Sequence, residues 1–553
     1  MTTTTTSSAR ERPADSRSEG AGADRCRRCL LWLVVAAGIL LRVWGVGFRH
    51  ETWDEWQLID GANVINSSLC TLLGGHPSPG FAKTQLVTIY GIFPKYFAML
   101  PCGVAALYDS PYLAKVLTRI VASLIPSIAA FYLVHRLCIL LGGSKLLCLG
   151  ALAMLAFAFK HVETAHFAVA DSLSAWITAA CLLCLVRWTA APDKMAGLVP
   201  SSLLAAVGAS TRINVGFCLA LTIGATIAAR AWLHNERRKA LSAAALSAAV
   251  FLSAFTLINL PYLVDLREWL ETVRGHAADM DNIVRWHFLY YACMTPALGI
   301  GGPLAAIAVL GFLASLRKKR LKTMYPLVFF TVIFYAFLSL VNCAIHRWII
   351  PMAPVFAIFG GLLLEELHAA LVARLGRRAA GLAVAAVLLA AIAPSAYHAV
   401  LFDLNLTERE TSYQRVEQFV AAHGPVERWV EEVGYPFPCR SPHKLSNLAG
   451  VDELDSGKFD YALCDDFRYP PQRPFPAFLL QLPPEQQRTS RLIEHLRAHW
   501  TLLAEYRSRY YTPWADGIAR QSIFWIYRAP QAKSRRPTQT AGHGQAGGEP
   551  GKE

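Results

Sequence analysis

The sequence predicts an all-α polytopic membrane protein with about eleven transmembrane helices, followed by a small α/β domain outside the membrane. Composition is the first indication. Of the 553 residues, 54% are hydrophobic and 17% are charged, whereas soluble proteins carry about 25% charged residues. The second is a series of apolar runs, most of which reach the ~20 residues that a helix needs to cross a bilayer. The third is a change after about residue 400, where alternating strand-like runs and polar helical stretches take over.

The apolar runs divide the chain into predicted domains. Residues 1–24 and 531–553 have little to bury and are expected to be disordered tails. Between the tails lie a membrane domain over 25–400 and an outer α/β domain over 401–530. The apolar runs are near 29–48, 84–107, 112–140, 145–160, 171–189, 196–210, 213–233, 240–262, 288–315, 323–342, 347–367 and 380–398.

The positions of Lys and Arg predict the orientation. We expect a cytoplasmic amino terminus beside Arg25, Arg27 and Arg28, and an outer loop over 49–111 in which the run 84–107 forms interfacial helices without crossing. The later basic clusters then all face the cytoplasm, whereas a crossing at 84–107 would put them all outside, against the positive-inside rule. These clusters are Arg136/Lys145, Arg187/Lys194, Arg237–Lys239, Arg317–Arg320 and Arg374/Arg377/Arg378. The protein is therefore expected in the plasma (inner) membrane with its carboxyl-terminal domain outside the cytoplasm.

Neither the net charge nor the number of cysteines identifies a nucleic acid or a metal as a binding partner. The net charge of +14 would suit a nucleic acid, but the basic residues lie in short loops between apolar runs, which is the distribution of topology signals. Most of the 13 cysteines lie inside apolar runs, and no spacing resembles a zinc site. The predicted outer pairs Cys70/Cys102 and Cys439/Cys464 could each form a disulfide in an oxidising compartment.

Charged residues from several separate loops are predicted to meet on the outer side. Asp54 and Glu55 follow the first apolar run directly; adjacent carboxylates at a membrane boundary are costly to place and point to a site, and the alternative is an acidic loop solvated at the interface. Asp171 could be a site carboxylate or the N-cap of a span, and Arg347 a site cation or a headgroup contact. The further outer candidates are Glu163, Asp265, Lys83, Arg212, His346, His161 and His166.

Glycosyl transfer from a lipid-linked donor would use both sets of charges. A carboxylate takes the proton from the acceptor hydroxyl as it attacks the anomeric carbon. Fixed cations hold the phosphate as negative charge builds on the leaving group. The sequence has no Gly-rich phosphate loop, and Asp279-Met-Asp281 is interpreted as a solvated acidic turn because it lies in a predicted outer loop, away from nucleotide sugars.

The order of these motifs resembles the GT-C type of polyprenyl-phosphate-sugar glycosyltransferases, in particular the bacterial and archaeal relatives of protein O-mannosyltransferases and of the lipid A aminoarabinose transferase. The resemblance covers roughly Cys29 to Val400 and continues weakly at Phe459. The matching motifs are Asp54-Glu55, Lys83, Thr118-Arg-Ile-Val-Ala-Ser123, Ala170-Asp-Ser-Leu173, the Gly208–Gly216 stretch around Arg212, and His346-Arg347-Trp-Ile-Ile-Pro351.

The resemblance implies an inverting transfer that needs no metal and no cofactor. It implies Asp54 as the general base, with Glu55 and Asp171 as further site carboxylates. Its candidates for the donor phosphate are Lys83, Arg212, His346 and Arg347. The chain departs from the family in having Lys83-Thr84-Gln85 where relatives commonly have Lys-Pro-Pro, which weakens the assignment of Lys83. The implied partners are a polyprenyl-phosphate-linked sugar and a hydroxyl acceptor on protein, lipid or glycan.

Two other functions are compatible with charges at the outer interface. A transporter or flippase for a lipid-linked sugar should show two related halves and ionisable residues near mid-bilayer, and the sequence shows no such internal symmetry. A non-catalytic anchor for the outer domain leaves the number of spans unexplained. The sugar, the polyprenol, the acceptor and the oligomeric state are left open by the sequence.

Overall fold

The computed structural model describes two compact units, one up to Thr407 and a second from Glu408 onward. The described residues are 15–48, 53–72, 91–191, 195–264, 266–267, 269–271, 274, 288–289, 291–292, 297–340, 346–408, 412–423, 425–432, 441–465, 484–507, 509–510 and 523–530.

The first unit is helical throughout its described part. Its α-helices are α1 (Asp15–Val43), α2 (Trp53–Leu72), α3 (Phe93–Ala106), α4 (Pro111–Arg119), α5 (Ile125–Leu140), α6 (Lys145–Phe157), α7 (Phe159–Ala165), α8 (Ala170–Ala190), α9 (Leu198–Ala209), α10 (Ile213–His234), α11 (Arg237–Ile258), α12 (Leu260–Val264), α13 (Gly302–Ser315), α14 (Lys318–Ser339), α15 (Ala353–Leu375) and α16 (Arg377–Leu406). Short π-helices cover Ile120–Leu124 and Ala297–Gly301, and a 3₁₀ helix covers His346–Met352.

Local sequence signals set several helix ends. Ser110 and Ser144 cap α4 and α6, each accepting a hydrogen bond from the backbone amide three residues on. Pro111 occupies the first position of α4, where no intrahelical N–H is needed. Asn235 ends α10 in the left-handed conformation, with a φ of 54°.

Seven of the described helices are long and apolar enough to cross a membrane, or up to eight if the bent pair α6–α7 is one span. The chain is therefore an integral membrane protein, while the number of eleven spans stays a prediction. The helix α3 has 14 residues and is about 21 Å long, shorter than the ~30 Å hydrocarbon core. Residues 84–90 lie outside the described residues, so the expectation that the run 84–107 does not cross stays a prediction.

Segments predicted to face the cytoplasm contact one another. Arg317 pairs with Glu366 at 2.8 Å and Arg320 pairs with Glu365 at 2.9 Å. The backbone amide of Ser144 donates to the same Glu365 carboxylate at 2.9 Å. The α5–α6 turn, the start of α14 and the later part of α15 thus share one side of the unit, as the distribution of Lys and Arg predicts.

The absolute orientation can be measured with reporter fusions. We expect reporters after Arg320 and after Arg378 to read cytoplasmic and one after Leu406 to read outside, because the basic clusters should remain on the inner side. The measurement is the activity of a compartment-specific reporter in intact cells. A cytoplasmic reading at Leu406 would contradict the topology.

The second unit contains a four-stranded sheet. Its elements are α17 (Ser412–Ala422), β1 (Trp429–Glu432), α18 (Val451–Leu454), β2 (Tyr461–Asp465), α19 (Pro484–His499), β3 (Thr501–Tyr506) and β4 (Phe524–Arg528). The strand order is β1-β2-β4-β3, in which β1 and β2 are parallel and β4 runs antiparallel to both of its neighbours. Strands β2, β3 and β4 lie on the alternating runs 460–464, 500–506 and 522–527 of the sequence. The four-residue β1 was not predicted.

A disulfide between Cys70 and Cys102 is not present. Cys102 is a free, buried thiol in α3, and its sulfur lies 4.0 Å from the Thr118 hydroxyl. Cys439 lies outside the described residues, so the second possible pair stays a prediction.

Candidate functional site

Glu55, in the first turn of α2, is held in a buried ion pair with Arg119 at the end of α4. The Arg119 Nε lies 2.6 Å from Oε1 and its Nη2 lies 2.8 Å from Oε2, so the contact is bidentate. Both side chains are almost fully shielded from solvent. The same guanidinium donates to the carbonyl oxygens of Val46 and Phe48 and lies 3.7 Å from the Phe48 ring centre. Arg119 therefore connects the end of the segment after α1, at Val46 and Phe48, with the start of α2, at Glu55.

The loop between α7 and α8, residues 166–169, is anchored to this ion pair. The amide of Ala168 donates to Oε1 of Glu55 at 2.9 Å. The Ser123 hydroxyl donates to the Val169 carbonyl at 3.1 Å and accepts from the Val169 amide at 3.3 Å. Ser123 lies in the π-helix that follows Arg119, a distortion that often occurs at functional sites. The Arg-x-x-Ala-Ser motif thus secures both Glu55 and the 166–169 loop.

Asp171 and Arg212 form a second buried ion pair. Asp171 lies in the first turn of α8, directly after the 166–169 loop, and Arg212 precedes α10. The Nη2 of Arg212 lies 2.8 Å from Oδ2 of Asp171, and Arg212 keeps 8% of its surface exposed. Glu55, Asp171 and Arg212, which were predicted to face outward, are therefore connected with Arg119 through one short loop.

The turn before Arg212 is fastened to the chain that precedes α3. The amide of Gly91 donates to Thr211 O at 3.1 Å, and the amide of Phe93 donates to Ser210 O at 2.9 Å. A Cβ on Gly91 would lie 1.9 Å from Ser210 O, so only glycine permits this approach. The Asn259 side chain donates to the Ser210 hydroxyl at 2.6 Å, which adds the end of α11 to the same cluster.

Lys95 adds a buried cation next to this turn. Its Nζ donates to the Tyr262 hydroxyl at 2.7 Å, and its side chain fills the space above Gly61. Burial lowers the pKa of Lys95 to about 7. Lys95 was not among the site residues that the sequence predicted.

The other sequence candidates have different positions. Arg347 is half-buried in the 3₁₀ helix, which packs on α8 and α7; the backbone of His346 begins that helix. Asp54 lies in the first turn of α2, and the side chains of Asp54 and His346 lie outside the described part of the chain. Lys83, Asp265, Asp279 and Asp281 lie entirely outside the described residues.

Glu163 and His161 were expected on the outer face but are buried in α7. The Glu163 carboxylate lies 2.5 Å from Lys160 Nζ, and both side chains are shielded from solvent. Nδ1 of His161 faces Arg42 Nη2 at 2.8 Å. The helix break between α6 and α7 carries these two residues into the helix packing, and their place on the outer side stays a prediction.

This break bends the chain by 58° and leaves backbone groups without helical partners. Arg42 donates to the carbonyls of Leu155 and Ala156 at 2.8 and 3.0 Å. The Ser395 hydroxyl donates to Phe157 O at 2.5 Å and accepts from the Phe159 amide at 3.2 Å. Side chains from α1 and α16 therefore satisfy these groups, as a helix break within a membrane would require.

The sequence did not predict Arg119 as a site residue, although Arg119 lies in the matching motif Thr118–Ser123. The signal was a charge within an apolar run, eight residues after Pro111. A charge so placed normally has a buried partner, and Glu55 is that partner.

No family model matches the chain, and no curated protein matches it. The solved structures that it resembles include the archaeal oligosaccharyltransferase AglB from Archaeoglobus fulgidus in complex with an inhibitory peptide and a dolichol-phosphate, at 13% identity and a TM-score of 0.44, over 88% of this chain and 80% of that one. They also include ArnT from Cupriavidus metallidurans in the apo state, at 16% identity and a TM-score of 0.48, over 89% of this chain and 97% of that one. The same ArnT bound to undecaprenyl phosphate gives 14% identity and a TM-score of 0.42 over the same shares.

Both neighbours are GT-C glycosyltransferases, the class that the sequence motifs resemble. At these identities and TM-scores the likeness carries no argument about the function of this chain.

Proposed function

We propose that this protein is an inverting, metal-independent glycosyltransferase that moves a sugar from a polyprenyl phosphate to a hydroxyl acceptor at the outer face of the membrane. One observation carries the proposal. Carboxylates and arginines from four separate segments, at Glu55, Arg119, Asp171 and Arg212, are joined through the 166–169 loop. A scaffold role alone does not account for so many buried charges in one place, because each is costly to remove from water.

Asp54 is the proposed general base. Glu55 is fully buried and Arg119 holds both of its oxygens, so its proposed role is to position the start of α2. Asp54 is the other carboxylate of the pair and the immediate neighbour of this anchor. It takes the proton of the acceptor hydroxyl while the acceptor oxygen bonds to the anomeric carbon. The bond from that carbon to the phosphate oxygen breaks, and polyprenyl phosphate leaves with the electron pair.

The donor phosphate is proposed to meet Arg212 and Arg347, with Lys83 and His346 as further candidates. Arg212 retains a small exposed surface while Asp171 holds one of its nitrogens. A fixed guanidinium stabilises the negative charge that develops on the departing phosphate. In this scheme Asp171 orients Arg212 and does not itself take a proton.

Replacing Arg212 tests the phosphate site. Because Arg212→Gln alone would leave Asp171 buried without its partner, the informative variant is the double replacement Asp171→Asn/Arg212→Gln, which removes both charges. We expect the KM for the donor to rise, and kcat/KM to fall about 10- to 100-fold, since a charge-assisted contact contributes ~1.5–3 kcal/mol. The measurement is sugar transfer from a purified polyprenyl-phosphate donor in proteoliposomes.

The matched control is Arg230→Gln, which removes an arginine paired with Glu236 at 3.7 Å on the predicted inner side. It should leave transfer close to the wild-type rate. Equal kinetics in the wild type and the double variant would remove Arg212 from the phosphate site. Movement of the donor lipid across the bilayer without a covalent product would instead support the transporter alternative.

A further inference from the structure

His166, the first residue of the 166–169 loop, is fully buried and surrounded by acceptors. Its Nε2 lies 2.8 Å from the Trp44 carbonyl oxygen, and its Nδ1 lies 2.9 Å from the Val162 carbonyl oxygen. Carbonyl oxygens only accept hydrogen bonds, and a neutral imidazole has a single N–H. A neutral ring would therefore direct one nitrogen lone pair at a carbonyl oxygen, whereas an imidazolium donates to both.

Asp403 supplies the negative charge that an imidazolium needs at this position. Its Oδ1 lies 3.4 Å from Nε2 of His166, and within the described part of the chain this oxygen makes no hydrogen bond. Burial lowers the pKa of His166, the hydrogen bonds to the two carbonyls raise it, and the nearby Arg42 and Arg119 lower it. The charged ring that the hydrogen bonds require is thus stable only beside an ionised partner.

Aromatic packing holds the same two segments together. The Phe402 ring lies 5.4 Å from the His166 ring and 6.1 Å from the Phe167 ring, measured between centres. Phe167 in turn meets Phe48 edge-on at 5.4 Å. The last turns of α16 are therefore fixed against the 166–169 loop by packing as well as by charge.

We propose that His166 and Asp403 form a buried ion pair that positions the 166–169 loop for sugar transfer. This inference rests on the proposed function. Neither residue touches the reacting atoms. They act through the Ala168 amide, which binds Glu55, and through Asp171, which directly follows the loop and binds Arg212.

The replacement Asp403→Asn tests the ion pair, because asparagine reproduces the shape of a protonated aspartic acid but not the charge of a carboxylate. We expect the Tm of the purified protein in detergent to fall by about 4 °C or more, since His166 and the nearby buried Arg42 both lose the counter-charge of Asp403. The double replacement Asp403→Asn/His166→Gln removes both charges and should recover part of this loss. A Tm within about 1 °C of wild type for Asp403→Asn would overturn the pair.

The kinetics of transfer test the positioning role. In Asp403→Asn we expect kcat to fall roughly 10-fold with little change in the donor KM, because the 166–169 loop no longer holds Glu55 and Asp171 in place. A lower Tm with an unchanged kcat would overturn the positioning role.

A matched control exists in the second unit, where His495 Nε2 lies 2.8 Å from Asp455 Oδ2 in a partly exposed pair, and asparagine can still accept the hydrogen bond that Trp500 donates to Asp455 Oδ1. Asp455→Asn should leave both Tm and transfer close to wild type, because water screens this pair. The Tm series does not depend on activity. A wild-type protein that transfers no sugar would overturn the proposed function, while the Tm of Asp403→Asn would still decide whether the ion pair exists.

Discussion

Asp54→Asn is expected to reduce sugar transfer at least ~10²-fold, because the side chain keeps its size but can no longer accept a proton from the acceptor hydroxyl. Binding of the lipid donor should change little, since the donor phosphate is anionic and loses only a repulsive neighbour. The measurement is transfer from a purified polyprenyl-phosphate donor into reconstituted membranes, with donor binding determined separately on the same preparation.

The pattern of the two measurements distinguishes the functions. A glycosyltransferase loses product formation and retains donor binding, whereas a transporter would show altered substrate binding or coupling and no covalent product in either protein. The Tm of Asp54→Asn should remain close to that of the wild type, which excludes misfolding as the cause. Near-normal transfer by this variant would remove Asp54 as the base.

Arg119→Gln is expected to lower the free energy of unfolding by about 3–5 kcal/mol, because it leaves the Glu55 carboxylate buried without its partner. The carbonyls of Val46 and Phe48 also lose a donor. The loss should appear as a lower Tm in detergent and, where the protein still folds, as slower transfer through a displaced α2. Glu55→Gln should also be destabilising, since it leaves the guanidinium of Arg119 without its counter-charge.

Two controls separate the charge effect from general damage. The double replacement Glu55→Gln/Arg119→Gln removes both charges of this ion pair and should be more stable than Arg119→Gln alone. Glu271→Gln removes a partner of Arg267, and these side chains are 60% and 90% exposed, so its effect should be small. Equal Tm values for Arg119→Gln and Glu271→Gln would contradict a buried, stabilising pair.

The membrane helices could be predicted from the sequence because apolar length is a property of each segment alone. Their breaks could not. The run 145–160 was expected to be one span, yet α6 ends at Phe157 and α7 begins at Phe159. Arg42 and Ser395, from distant parts of the chain, satisfy the freed backbone groups, and no local pattern contains that information. The strand β1 was missed because four residues are too few for an alternation to be recognised.

The candidate site was predicted as a set of residue types and only partly as a set of contacts. The outer position and charge of Asp171 and Arg212 made them candidates, but their pairing depends on the turn at 210–212 and on Gly91. Glu55 was predicted beside Asp54 as a site carboxylate, whereas its contacts with Arg119 and Ala168 give it an anchoring position. Adjacent residues in sequence can thus differ in role because their three-dimensional partners differ.

The hydrogen bonds that Arg42 makes with later parts of the chain have a consequence for biosynthesis. Arg42 enters the bilayer with α1, but Ser127, Leu155, Ala156 and His161, which receive its hydrogen bonds, are synthesised more than eighty residues later. Within α1 only the Gly38 carbonyl is available to it. Arg42 lies in the last turn of α1, and an arginine that enters a membrane without its partners is costly to insert. We therefore expect the first helix to reach its stable position only after α5, α6 and α7 have emerged from the ribosome, so that insertion of this protein is a collective event and not a sequence of independent steps.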